Sequence, residues 1–407
     1  MALVVLKSLG EFFLDRLNAG YVRERSGKIP DVFQGMMTEE IYAKSVAYTL
    51  AKNRLSQCSN PYDLAVLLAV LFAGFLPWSY GAFVAVAGES VWAAATHIIG
   101  VSLVLSVLGL PWEWHEQFRL EERFGFNKTS LGLWILDRVK GAALALLIGV
   151  PVIALLLKLV MIGGSWWWIC GWVTVIGFQV VMMIATPMWI LPLFNKFEPL
   201  ADGELRDRLL KLGEATGFST ATIQVMDGSK RSAHANAFFT GFGQFRKIVL
   251  FDTLIDQLSV DELEAVLAHE IGHYKKRHVL KMLVWSGAAL LVSFWVLAQL
   301  IRYPPFFAAF GFAEGSLGPA FLLFGLLSGA VTFWATPISS AWSRKFEYEA
   351  DAFAAQAVGG ADALVGALRK LSEKNLSNLT PHPLYSCFYY SHPTLLERER
   401  ALRLNDE

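Results

Sequence analysis

The chain is poor in charge. Of its 407 residues only 17% are Asp, Glu, Lys or Arg, against roughly 25% in an average soluble domain. Neither sign is in excess, since 35 basic residues face 35 acidic ones. That balance argues against nucleic-acid binding by bulk charge. Cysteine is scarce as well. Cys58, Cys170 and Cys387 stand far apart, which excludes a CxxC pair and a disulfide framework. A zinc site would have to be made from histidines and carboxylates. The sequence ends Leu404-Asn-Asp-Glu407, without a cysteine, so no prenylation box is expected there. What the chain has instead is apolar bulk: 55% hydrophobic residues, including 29 Phe and 14 Trp. A disordered chain, a collagen-like chain and an ordinary cytosolic enzyme are all excluded.

The apolar residues fall in long runs. A bilayer crossing takes about 20 of them, and six stretches suffice: 64–87, 91–112, 141–164, 166–194, 282–301 and 317–342. None holds an acidic residue, and Lys158, near a segment end, can snorkel. Pro77, Pro151, Pro187 and Pro337 interrupt four of them, which membrane helices tolerate. Trp166, Trp167 and Trp168 cluster at one edge, as interfacial anchors do. The stretch 2–21 mixes Leu3, Val4, Leu6, Phe12 and Phe13 with Lys7, Glu11, Asp15 and Arg16. It is too charged for a signal peptide. It reads as an amphipathic or short membrane helix, so the count is six or seven.

Loop charge orients the chain. Lys128 and Arg138 lie in the link 113–140, Lys275, Lys276 and Arg277 precede the fifth span, and Arg344 and Lys345 follow the sixth. With strict alternation these all fall on one side, which the positive-inside rule makes cytoplasmic. Residues 1–194 are then an N-terminal membrane region with a cytoplasmic loop at 113–140. Residues 195–407 are a cytoplasmic-side region interrupted by the last two spans. In that region 203–216 reads as a helix, and 222–226, 232–240 and 247–251 as strands, with Gly241 and Gly243 turning the second. Ser259 and Glu262 form a capping box. The helix they open meets no breaker before the fifth span and is expected to run unbroken into the bilayer.

That helix carries the strongest chemical signal, His269-Glu270-Ile271-Gly272-His273. Histidines at i and i+4 share a face, so both can hold one zinc ion, with Glu270 beside them as the base. His115-Glu116 is a contrast, because Arg119 stands where a second histidine is needed. Zinc needs a third protein ligand. Glu347 and Asp351, also at i and i+4, can supply it, one as ligand and the other orienting a ligand histidine. Glu349 lies on another face. His278, next to Lys275, Lys276 and Arg277, is expected at the lipid headgroups, and His97 in a polar contact between helices.

HExxH followed by Glu-x-x-x-Asp resembles the CAAX prenyl protease 1 family and the related HtpX-type membrane proteases. Phe124-Gly-Phe-Asn-Lys-Thr129, Pro192-Leu-Phe-Asn-Lys-Phe197, Ser232-Ala-His-Ala-Asn236-Ala-Phe238 and Ser391-His392-Pro393 are similar to the CAAX branch. The resemblance runs from about Glu39 to Leu402 and departs at the N-terminus, where the family's first membrane helix looks shortened. It implies a mainly α polytopic membrane protein whose spans enclose a water-filled chamber, with a small α+β zincin-like peptidase domain. It also implies one zinc ion held by His269, His273 and Glu347, with Asp351 supporting the ligands and Glu270 as general base. His392 would stabilise the oxyanion, Arg398 would support it or the site wall, and an extended substrate would lie along 232–238 near Asn236 and His234. The residues themselves leave plainer readings: His392 as a loop histidine before a helix start, Asn236 as a partner for strand-edge backbone. The implied reaction is removal of the last three residues of prenylated CAAX proteins, at the endoplasmic reticulum or a bacterial inner membrane. A quality-control protease, a catalytically silent scaffold and a zinc transporter are the other classes. The spans hold almost no metal ligands, which disfavours the transporter.

Overall fold

A computed structural model of the chain describes residues 1–30, 33–35, 37–218, 222–240 and 247–404. The apolar runs are all helical, because in lipid each backbone polar group must be satisfied within its own segment. The first half comprises α1 (Ala2–Glu24), α2 (Glu39–Phe72), α3 (Phe75–Ala87), α4 (Val91–Phe124), α5 (Leu131–Ile162) and α6 (Gly164–Phe194). All six expected spans lie in helices of suitable length and hydropathy, counting α2 and α3 as one bent span. The bend, 56°, falls where Gly74 takes the left-handed region at φ +77°.

The link 113–140 is not a loop. Helix α4 continues through Glu113, Glu116 and Arg119, and the chain leaves it only at Gly125 (φ +87°). Ser130 then caps α5 by accepting from the Leu133 N–H at 3.3 Å. The apolar pattern marks where lipid ends, not where helix ends. Helix α1 buries Val4, Leu14, Ala19 and Val22 together with two polar residues, and leaves other apolar residues outside. Leu3, Leu6, Leu9 and Phe13 are exposed, while Asp15 and Asn18 are buried. Asn18 donates to Asn53 of α2 at 3.2 Å, and Asn53 donates to the Asp15 carbonyl at 3.1 Å. Its 23 residues extend about 34 Å, but it is not among the helices long and apolar enough to cross a membrane.

The second half begins with a four-stranded sheet: β1 (Phe197–Pro199), then α7 (Glu204–Ala215), β2 (Thr222–Met226), β3 (Ala237–Thr240) and β4 (Lys247–Phe251), in the order β1-β2-β4-β3. Strands β2 and β4 are parallel, and β3 lies antiparallel to β4 at the edge. The expected run 232–240 is strand only over β3; Ser232 instead bridges Asn127. Gly241 and Gly243 lie outside the described residues.

Helix α8 (Val260–Lys275) packs Leu263, Leu267 and Ile271 into one core with Ile248 and Leu250 of the sheet. Its capping box is present: the Glu262 N–H donates to Ser259 Oγ at 3.4 Å, and the Ser259 N–H donates to Glu262 Oε2 at 2.7 Å. It does not run unbroken into the bilayer. It ends at Lys275, Arg277 takes the left-handed region at φ 57°, and α9 (His278–Ile301) starts afresh. Helix α10 (Leu317–Val358) has 42 residues and extends about 63 Å, twice a hydrocarbon core. Its polar C-terminal part therefore stands clear of the lipid. Helices α11 (Asp362–Lys374), α12 (Pro383–Tyr389) and α13 (Leu395–Leu404) complete the domain.

Candidate active site

The site forms where α8 crosses the polar part of α10. Gly272 permits the crossing. A Cβ there would lie 3.0 Å from Ala350 Cα and 3.1 Å from the Ala350 carbonyl oxygen. With the helices this close, Glu347, one turn before Asp351, reaches the two histidines of α8.

His269 Nε2 and His273 Nε2 are 3.1 Å apart. Glu347 Oε2 is 3.4 Å from the first and Glu347 Oε1 is 3.3 Å from the second. His269 and Glu347 are buried. The outer nitrogens of both rings are also engaged: His269 Nδ1 lies 2.8 Å from Asp351 Oδ1, and His273 Nδ1 lies 3.0 Å from His278 Nδ1. With the ring protons on Nδ1, both Nε2 lone pairs point at each other and at a carboxylate. Glu347 Oε2 is buried without a hydrogen-bond partner. Two imidazole nitrogens and a carboxylate converging in this way fit a cation. A tetrahedral zinc with bonds of about 2.0–2.1 Å needs ligand atoms roughly 3.3 Å apart. Among the described residues this is the group of three whose geometry suits a metal. Electrostatics agree. Burial would lower the His269 pKa, but Asp351 and Glu347 outweigh it and raise it to about 9.

Arg398, from α13, closes the back of the group. Its Nε and Nη2 donate to the two oxygens of Asp351 at 2.8 and 2.5 Å, and its Nη1 stands 3.7 Å from Glu347 Oε2. Both members of this bidentate pair are buried. The front is a cleft of about 210 Å³ lined by Asn236, Glu270, Glu347, Asn375, His392 and Arg398, among others. Glu270 is half-buried on its wall. His392 is 63% exposed at the side chain, and its Nε2 is 3.4 Å from Glu347 Oε1. The expected cap after it is present, with the Thr394 N–H donating to Glu397 at 2.8 Å. Asn236 is exposed just before the edge strand β3, and its Oδ1 accepts from the Ala237 N–H at 2.9 Å.

His234 is set apart from this cleft. Its ring stacks on Phe126 at 4.0 Å, its Nδ1 is 3.2 Å from Asn375 Oδ1, and it lines a neighbouring cavity of about 470 Å³. His278 is not at a headgroup surface. It is 3% exposed, against His273 and Glu349. Helical spacing hid it, since five residues beyond His273 on one helix would place it on another face. Only the break at Arg277 turns it back. Asn375, which also accepts from the Ala235 N–H at 3.3 Å, carried no sequence signal. His97 does make the expected contact between helices, 3.1 Å from Ser79 Oγ.

A buried His-His-Glu group with an adjacent glutamate, set in a cleft beside a sheet edge and joined to a bundle of spanning helices, defines a multi-pass membrane metallopeptidase. Residues 19–196 match the family described as "CAAX prenyl protease N-terminal, five membrane helices", and residues 199–405 match Peptidase family M48. The chain is 37% identical to CAAX prenyl protease 1 of Saccharomyces cerevisiae over 94% of its length and 90% of that protein's. It is 32% identical to the human CAAX prenyl protease 1 homolog, covering 92% and 88%. The crystal structure of S. mikatae Ste24p superimposes with a TM-score of 0.93 at 35% identity, covering 98% of this chain and 97% of that one. The chain belongs to the CAAX prenyl protease 1 family, and it is an integral membrane zinc metalloprotease.

Proposed function

We propose that this protein removes the C-terminal tripeptide of prenylated CAAX proteins, in a site at the cytoplasmic face of its membrane. The observation that carries the reading is the convergence of His269 Nε2, His273 Nε2 and the Glu347 carboxylate, with contacts of 3.1–3.4 Å, beside Glu270 and an edge strand. Full-length similarity to proteins named CAAX prenyl protease supports the substrate class. The basic residues of 113–140, 275–277 and 344–345 support the cytoplasmic side.

His269, His273 and Glu347 would hold one zinc ion, which would supply Lewis-acid polarisation of the scissile carbonyl and acidify a water molecule. The substrate extends along β3 by adding a strand to the sheet edge. Asn236, its Oδ1 taken by Ala237, offers its amide N–H to a substrate carbonyl. His234 borders the next cavity, where a longer peptide continues. Glu270 accepts a proton from the attacking water as the C–O bond forms. It then delivers that proton to the departing amide nitrogen as the C–N bond breaks. His392 donates from Nε2 to the oxyanion. Asp351, fixed by Arg398, keeps the His269 proton on Nδ1.

The test is digestion of a farnesylated CAAX peptide, its unprenylated twin and unfolded casein by purified protein in detergent. Release of the tripeptide from the farnesylated peptide, abolished by a chelator, is the expected result. Chelator-sensitive cleavage of casein alone would transfer the role to quality control.

A further inference from the structure

The sequence places His278 in a run of basic residues, yet the fold buries it beside the metal group. Arg277 adopts φ 57° to make this possible, a conformation that costs a non-glycine residue about 1 kcal/mol or more. The result is a chain of contacts from α10 to the metal group. His278 stacks on Phe346 with ring centroids 4.2 Å apart and planes at 12°. Its Nε2 is 3.1 Å from Glu349 Oε2, and its Nδ1 is 3.0 Å from His273 Nδ1. Lys281 Nζ, 3.5 Å from Glu349 Oε2, keeps that carboxylate charged and in place.

Proton placement along this chain has one direction. When the His273 Nε2 lone pair faces His269 and Glu347, the ring proton is on Nδ1. It must be donated, and the atom that faces it is His278 Nδ1. That nitrogen can accept only when the His278 proton is on Nε2, where Glu349 receives it. Each donor then meets an acceptor with both rings neutral. His269 is oriented by a carboxylate directly, through Asp351. His273 is oriented by a carboxylate one imidazole away.

We propose that His278, held by Glu349 and Phe346, is a positioning residue that fixes the orientation and tautomer of His273 for zinc binding. The proposal rests on the zinc-site reading given above. Supporting groups of this kind typically change metal affinity by roughly 10–100-fold.

The experiment measures zinc stoichiometry and the rate of zinc transfer to a chromophoric chelator for the wild type, His278→Phe, His278→Asn and His273→Ala, with thermal unfolding of each. Phe keeps the flat ring and the stacking on Phe346 but removes the acceptor. Asn loses the stacking but places Oδ1 about where Nδ1 stood. The expected result is zinc loss roughly 10–100-fold faster in His278→Phe, with much of the wild-type rate recovered in His278→Asn. A packing role would give the reverse order. Equal zinc retention by His278→Phe and the wild type, or faster loss from His278→Asn than from His278→Phe, overturns the proposal alone. A wild type that holds no zinc, or zinc unaffected by His273→Ala, overturns the site reading and the proposal with it.

Discussion

Gly272 and Ala350 touch backbone to backbone, at a spacing that leaves no room for a side chain on the glycine. This contact sets how far Glu347 stands from His269 and His273. Gly272→Ala would force α8 and α10 apart by a few tenths of an ångström. Misplacement by 1 Å can cost about a hundredfold in rate, so a loss of about tenfold in kcat is expected, with faster zinc release. Assay of the variant beside Gly287→Ala, a glycine whose Cβ would meet only Ile176 Cδ1 at 3.4 Å, separates this contact from glycine replacement in general. Normal activity in Gly272→Ala would disprove the account of the crossing.

Arg398 and Asp351 form a buried bidentate pair next to the buried Glu347. Arg398→Ala leaves two buried carboxylates without their cation. Removing one partner of such a pair costs about 3–5 kcal/mol. A lower thermal midpoint that added zinc partly restores is the expected outcome. Asp351→Asn keeps the shape and is expected to weaken zinc binding roughly 10–100-fold.

His392 lies at the mouth of the cleft, on Glu347 and away from the core, so its removal should not unfold the domain. As an oxyanion donor it acts only in the transition state. His392→Ala should therefore lower kcat by about 10²–10³ with KM nearly unchanged. Asn236→Ala should instead raise KM. Steady-state kinetics on a farnesylated peptide distinguish the two; a pure KM effect at His392 would refute its assigned role.

Glu262 ties the start of α8 to α11. Burial would raise its pKa, but the Lys370 ammonium and the Ser259 N–H outweigh burial and lower it. Its folded pKa is thus below its unfolded one. The stability it contributes is present above the ordinary carboxylate range and is lost as pH falls through the lowered value. Thermal midpoints measured from pH 7 to pH 3 should fall less steeply in Glu262→Gln than in the wild type, from a lower starting point. Parallel curves would contradict this.

Much of the fold could be read from the residues. The spans were legible because lipid demands long apolar helices, and α8 because Ser259 and Glu262 declare its first turn. Helical spacing made the His269-Glu270-His273 pattern legible and put Glu347 and Asp351 on one face, while only the family resemblance chose between those two as ligand. What spacing could not reveal was anything created by a break. The stop at Lys275 comes without glycine or proline, on an arginine in the left-handed region, so the run from α8 into α9 looked continuous and His278 looked exposed. The helical character of most of 113–140 is hidden because its charges interrupt the apolar run without ending the helix. Asn375 and the apartness of His234 depend on contacts between segments about 140 residues apart, which no local pattern encodes.

The central claim is that Glu270 moves the proton while His269, His273 and Glu347 hold the zinc. The most direct measurement is tripeptide release from a farnesylated CAAX peptide together with zinc content, in the wild type and in Glu270→Gln. The account predicts one zinc ion per chain in both, with release abolished in the variant. A Glu270→Gln protein that holds zinc and cleaves at the wild-type rate would contradict it.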